Sequence, residues 1–246
     1  MNDLFGVTRD VVGPRHALRT PAGFVPSQLP GWTGAVCVVQ ISPAMGAKFC
    51  QLLITMGKNG EGRGQTGDTE YFIYVLGGRG RLETSGTKAA LSIGSYVYLP
   101  AEVDFHIRSA AKETRLLIFQ KKFEALAGVE KPGVLVGNEQ KIKGQPFLGN
   151  DDARLQVLLP DHPAFDLAVN IFTYQPGATL PFVETHIMEH GLLMLAGQGI
   201  YRLESAHYPV QAGDVIWMAP YCPQWFVAMG KTPASYIYYK DVNRAP

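Results

Sequence analysis

Short apolar runs rich in β-branched and aromatic residues recur along the chain, each cut off by Gly, Pro, Asn or Asp. Val36-Cys37-Val38-Val39-Gln40-Ile41, Phe49 to Thr55, Tyr71 to Leu76 and Tyr236 to Tyr239 are examples. Runs of this length and composition read as β-strands, and the residues between them as tight turns. No long stretch sustains a helical period, and Lys122 to Gly128 is at most a short helix. Many short antiparallel strands at even spacing predict an all-β barrel or jelly roll.

The pattern is written twice. A shift of 119 positions lays Glu70-Tyr71-Phe72-Ile73-Tyr74-Val75-Leu76-Gly77-Gly78-Arg79-Gly80 on Glu189 to Gly199, and Gly94 to Pro100 on Gly213 to Ala219. The same shift lays Leu117-Ile118-Phe119 on Tyr236-Ile237-Tyr238. Two tandem units follow from this: an N-terminal barrel over 1–126, a Gly/Pro/Lys-rich linker over 127–149, and a C-terminal barrel over 150–246.

Chemistry concentrates in the second copy. Glu184-Thr185-His186-Ile187-Met188-Glu189-His190 is followed by Gly197, Gly213-Asp214 and Gln224. On a strand, Glu184 and His186 would leave the same face. His190 lies past a short turn, and Gln224 would arrive from a third strand. One carboxylate, two imidazoles and an amide oxygen suit a divalent cation such as Mn, Fe, Ni or Zn, and the absence of thiolates argues against structural zinc. The spacing resembles the metal signature of the cupins, whose two-barrel members are bicupins. In the first copy the four places fall to Gln65, Gly67, Tyr71 and Phe105, none of them a strong ligand. His106 sits one residue from a vacated place, which turns it to the other face. One metal per chain is therefore expected, in the second barrel. The run His186 to His190 also reads as HxxEH of an inverted zinc protease, but that motif needs a helix. Pro176-Gly177, Pro181 and Gly191 flank the segment and argue against one.

Bulk properties narrow the classes. The 246 residues carry a net charge of +1 with scattered lysines, so nucleic-acid binding has no electrostatic footprint. Neither a secretory leader nor a stretch long enough to span a bilayer is visible. Cys37, Cys50 and Cys222 form no paired framework, which fits a reducing cytoplasm.

The segments Glu184 to Gly191, Gly197-Gln198-Gly199, Tyr201, Tyr208-Pro209-Val210, Gly213-Asp214, Gln224 and Tyr236 to Arg244 together resemble the (S)-ureidoglycine aminohydrolase family. The likeness extends to Ala17 to Gly23 and Pro30-Gly31, so it covers nearly the whole chain. The family are manganese bicupins of purine and allantoin catabolism that release ammonia from (S)-ureidoglycine. The resemblance implies Mn2+ on Glu184, His186, His190 and Gln224, with Tyr201, Tyr236 and Lys240 on the substrate side. Tyr236, Tyr238 and Lys240 alternate on a strand and share a face. An inward lysine calls for an anion, either the substrate carboxylate or an acid such as Glu184. Lys240 is the expected proton carrier between ammonia and water. A small polar ureido substrate and a homo-oligomer are expected by the same analogy. Another metal-dependent cupin enzyme, a dioxygenase or isomerase, and a non-catalytic small-molecule-binding bicupin are the alternatives. Oxygen uptake would mark the dioxygenase, and absence of metal the passive binder.

Overall fold

The computed structural model describes residues 8–244, as two compact units of β-structure. Two N-terminal strands, β1 (Val11–Val12) and β2 (His16–Arg19), come first. A run of ten follows: β3 (Pro26–Ser27), β4 (Trp32–Ile41), β5 (Phe49–Gln65), β6 (Thr69–Gly77), β7 (Arg79–Thr84), β8 (Lys88–Ser92), β9 (Ser95–Leu99), β10 (Asp104–Ser109), β11 (Glu113–Lys122) and β12 (Leu135–Asn138). The remainder are β13 (Gln145–Phe147), β14 (Asn150–Val157), β15 (Leu167–Tyr174), β16 (His190–Ala196), β17 (Gln198–Leu203), β18 (Ala206–Gln211), β19 (Val215–Met218), β20 (Gln224–Met229) and β21 (Ala234–Asp241). No described residue is in an α-helix; Lys122 to Gly128 holds none. Among the described residues no helix is long and apolar enough to cross a membrane.

In the N-terminal barrel the sheet order is β12-β9-β6-β11-β5-β10-β7-β8, with β4 and β3 added on β5. Strand alternation sends Leu52, Ile54, Met56, Ile73, Val75, Val97, Leu99, Leu116 and Ile118 inward as one apolar core. In the C-terminal barrel an eight-stranded sheet, β1-β2-β19-β16-β21-β15-β14-β13, accompanies a three-stranded one, β18-β17-β20. Isolated bridges Thr179↔Val227 and Glu184↔Gln224 extend its pairing. Its interior is more aromatic, with Phe172, Tyr174, Tyr201, Phe226, Tyr236 and Tyr238 beside Leu192, Met194 and Met218.

Repeated devices mark the two barrels as copies. Gly78 and Gly197, 119 positions apart, both take left-handed backbone (φ 76° and 70°). A Cβ would come within 2.1 Å of the Glu113 carbonyl at the first and 2.5 Å of the Pro233 carbonyl at the second, so only glycine fits either turn. Glu70 and Glu189 are both fully buried. Each accepts from an aromatic on the neighbouring strand: Tyr98 Oη at 2.6 Å and Trp217 Nε1 at 3.4 Å.

The final strand departs from the expected register. Leu117 faces Tyr74 across β11 and β6, whereas Ile237 faces Leu193 across β21 and β16. Tyr74 to Leu193 is a step of 119, but Leu117 to Ile237 is 120. Inward Leu116 and Ile118 therefore correspond to Tyr236 and Tyr238, and Gln120 corresponds to Lys240. The β-bulges fall at corresponding places, skipping Leu76 in the first copy and Leu195 in the second, and Ser109 still corresponds to Ala228 at a step of 119, so the extra residue lies in the connection from β20 into β21.

The unit boundaries also differ from cuts at 126 and 150. Described residues through Phe24 join Gly144–Leu155 and Asn170–Lys240 in the C-terminal unit, and Val25–Lys143 joins Gln156–Val169 and the segment from Asp241. β2 pairs along β19, His16 with Met218 through Arg19 with Val215, and so covers an edge that would otherwise be open. Arg9 secures this arm with two hydrogen bonds to buried Asp214, at 2.7 and 2.8 Å. The stretch 127–149 is no free linker, because β12 pairs with β9 and β13 with β14. Residues 156–169 return to the N-terminal unit, where Asp166 accepts from Lys121 and from the Glu124 amide. A repeat shift detects copied strands and is blind to strands traded between copies.

Candidate metal centre

The segment before β16 is irregular where a strand was expected. Glu184 alone is bridged, exchanging backbone hydrogen bonds of 2.8 and 2.9 Å with Gln224, and residues 185–189 form no strand. The bridge sets Glu184 opposite the first residue of β20. The His186 carbonyl accepts from the Tyr221 amide at 2.7 Å, which folds the segment back so that His186 meets His190 at the start of β16.

The result is a convergence of nitrogen and oxygen donors. His186 Nε2 lies 3.1 Å from His190 Nε2 and 2.9 Å from the Gln224 amide nitrogen. Gln224 Oε1 accepts from the Tyr201 hydroxyl at 3.2 Å. Glu184, His186, His190, Gln224, Tyr201, Tyr236 and Lys240 all line one cavity of about 120 Å³, walled by Phe147, Phe172, Met188, Leu192, Met218 and Tyr238. No cluster of three or more His, Cys, Asp or Glu in metal-binding geometry occurs among the described residues.

The donor set nevertheless fits a divalent cation. Burial, reinforced by the charges of His186 and Lys240, holds His190 well below its usual range, so its imidazole is neutral with a lone pair to give. Burial pushes Glu184 up, while Lys240 pulls it down, so a second positive charge at the site would favour the carboxylate further. Two imidazole nitrogens facing each other at 3.1 Å share either a proton or a cation. The carboxamide of Gln224 presents oxygen or nitrogen by a half-turn, with the Tyr201 hydroxyl able to accept or donate accordingly.

The first barrel offers no such set. Phe105 is buried in its core, and its ring packs on Tyr71 with centroids 5.7 Å apart. His106 turns away to Glu61, Nε2 to Oε2 2.8 Å, beside Arg63 and Arg108. Apolar packing fills the places of Tyr71 and Phe105, while Gln65 is exposed and Gly67 has open space around it.

Sequence reasoning passed over the residues behind the cavity. Tyr174 meets Tyr236 hydroxyl to hydroxyl at 3.1 Å, and Asn170 donates to the Tyr238 hydroxyl at 3.1 Å. Both lie on β15, where Asn170, Phe172 and Tyr174 alternate inward. Their order, polar-aromatic-aromatic at every second position, was the available signal.

The two-barrel architecture and its donor cluster define a cupin, and residues 170–239 match the cupin domain family. The chain is 41% identical to (S)-ureidoglycine aminohydrolase of Arabidopsis thaliana, over its full length and 82% of that protein. It is 32% identical to (S)-ureidoglycine aminohydrolase of Escherichia coli K12, across 99% of this chain and 97% of that one. A crystal structure of a protein described as glyoxylate-induced, from Pseudomonas aeruginosa, superposes with a TM-score of 0.91 at 29% identity, covering 100% of this chain and 94% of that chain. The chain belongs to the (S)-ureidoglycine aminohydrolase family of cupins.

Proposed function

We propose that this chain hydrolyses (S)-ureidoglycine to (S)-ureidoglycolate and ammonia in purine catabolism, as a cytoplasmic homo-oligomer with one Mn2+ per chain. Glu184, His186, His190 and Gln224 would hold the cation. When bound, it supplies an anchor for the substrate and stabilises developing negative charge.

The chain's own groups account for the rest. Lys240 is half-buried on the cavity wall, and its ammonium pairs with the substrate carboxylate. In the reaction the carbon–nitrogen bond to the 2-amino group breaks and a carbon–oxygen bond to water forms. Lys240 gives a proton to the departing amine and recovers one from the incoming water, so no net charge is created. The Tyr201 and Tyr236 hydroxyls, both buried, hold the polar ureido end. Phe172, Leu192 and Met218 form an apolar wall that limits access of bulk water. The lining is uneven, charged at Lys240 and aromatic at Phe172, and an asymmetric pocket of this kind presents one face of the substrate carbon to water.

The observation that carries this reading is the meeting of two imidazoles, an amide and a carboxylate in the cavity that Lys240 also lines. Incubation with freshly generated ureidoglycine tests it. Ammonia and ureidoglycolate should appear in equal amounts, and the absence of both would refute it.

A further inference from the structure

We infer that Tyr238 is a hydrogen-bond donor to a substrate oxygen, made so by Asn170, which acts as its positioning residue. The inference rests on the reading of this cavity as the ureidoglycine site.

Tyr238 lies on β21 between Tyr236 and Lys240 and lines the cavity with them. Its oxygen accepts from Asn170 Nδ2 at 3.1 Å. An oxygen that accepts from an amide keeps its own hydrogen for another partner. Among the described residues no protein acceptor takes that hydrogen, and the space beside it is the cavity. Asn170 is 3% exposed and Tyr238 is 9% exposed, so water is a poor competitor for either. The ring is also held. Phe172 stacks on it at 5.8 Å and 12° between planes, and His190 meets it edge-on with centroids 5.5 Å apart. A phenol fixed in position, with its oxygen occupied from behind, has one hydrogen and one direction in which to give it.

Asn170 has no other evident task. Its Oδ1 is buried and has no hydrogen-bond partner among the described residues, an unfavourable placement if the side chain served packing alone. Turning the amide to satisfy Oδ1 with the Tyr238 hydrogen would leave the whole NH2 group unpaired and would silence the phenol as a donor. The ligand oxygen it serves is a carboxylate or a urea carbonyl, both of which accept strongly.

The test uses the metal-loaded full-length protein, steady-state ammonia release from ureidoglycine, and calorimetric binding of N-carbamoylglycine, which keeps carboxylate and urea but lacks the leaving amine. Tyr238→Phe should raise KM and weaken N-carbamoylglycine binding by about ten-fold, as for one buried hydrogen bond. Asn170→Leu should give a smaller loss, about three-fold, and the double variant should equal Tyr238→Phe. Metal content should stay at wild-type level in all three. A purely structural asparagine would instead give the same loss with or without the phenol, so additive losses overturn the pairing. Wild-type binding in Tyr238→Phe overturns the inference while leaving the hydrolase reading intact. If wild-type protein binds N-carbamoylglycine but releases no ammonia, the hydrolase reading fails. The donor then stands or falls on the Tyr238→Phe titration. If wild-type protein binds no N-carbamoylglycine, the donor inference is overturned as well.

Discussion

His190 Nε2 lies 3.1 Å from His186 Nε2, and burial keeps His190 neutral. Two lone pairs held this close are stabilised by a cation between them, and removal of either imidazole leaves the other without that partner. His190→Ala should therefore drop metal content from about one per chain to near zero while the protein remains folded. Substitution of Tyr71, which sits at the corresponding place in the first barrel, should leave the metal unchanged. Elemental analysis of purified variants checks both, and a stoichiometry near two per chain would contradict a single site.

Tyr201 supports the centre from behind through its 3.2 Å hydrogen bond to Gln224. Loss of such a supporting contact lowers metal affinity by about 10-fold or more. Tyr201→Phe should show this in competition against a chelating indicator, with little change in thermal midpoint. Unchanged affinity would assign the phenol to the substrate alone.

Lys240 is proposed to act on the substrate and not on the metal, since an ammonium has no lone pair to donate. Lys240→Met keeps the length and removes the charge. It should retain metal and melting temperature while turnover falls by about 100-fold or more. Loss of metal in this variant would make Lys240 a support for Glu184 and would move proton transfer to Tyr201 or Tyr236.

Glu70, in the N-terminal unit, predicts a pH dependence of stability. Burial first, and then the neighbouring Asp166, push it up to about 9 from 4.5, so it is protonated in the folded protein at neutral pH. A raised folded value means that the unfolded chain loses its proton first. The contribution is intact below pH 4.5 and declines as pH rises toward 9. The slope is at most about 1.4 kcal/mol per pH unit. Thermal unfolding of Glu70→Gln should show a flatter profile than wild type across that window; an identical slope would exclude Glu70 as its source.

Much of this was legible in the sequence, for identifiable reasons. Strand character follows from short apolar runs such as Leu52-Leu53-Ile54, and the barrel copies follow from paired signals such as Gly78 and Gly197, where backbone geometry admits no side chain. The place of Glu184, His186, His190 and Gln224 on one cavity follows motif spacing. Other features depend on three-dimensional choices that spacing does not encode. His16 to Arg19 fall within the expected N-terminal barrel, yet they pair with β19, because an exposed edge accepts any strand that can reach it. The extra residue before Ile237 lies in the connection from β20 into β21, where a turn absorbs an insertion without disturbing the strands on either side. Asn170 and Tyr174 lie a strand behind the cavity, and only packing shows which phenol each one holds.

This cavity is proposed to bind a divalent cation and to use it in releasing ammonia from ureidoglycine. The direct measurement is ammonia release by metal-free protein before and after addition of Mn2+, run beside His190→Ala. Release should be negligible without metal, should return as Mn2+ approaches one equivalent per chain, and should not return in His190→Ala. Full activity in thoroughly metal-free protein, or Mn2+-restored activity in His190→Ala equal to wild type, would contradict the proposal.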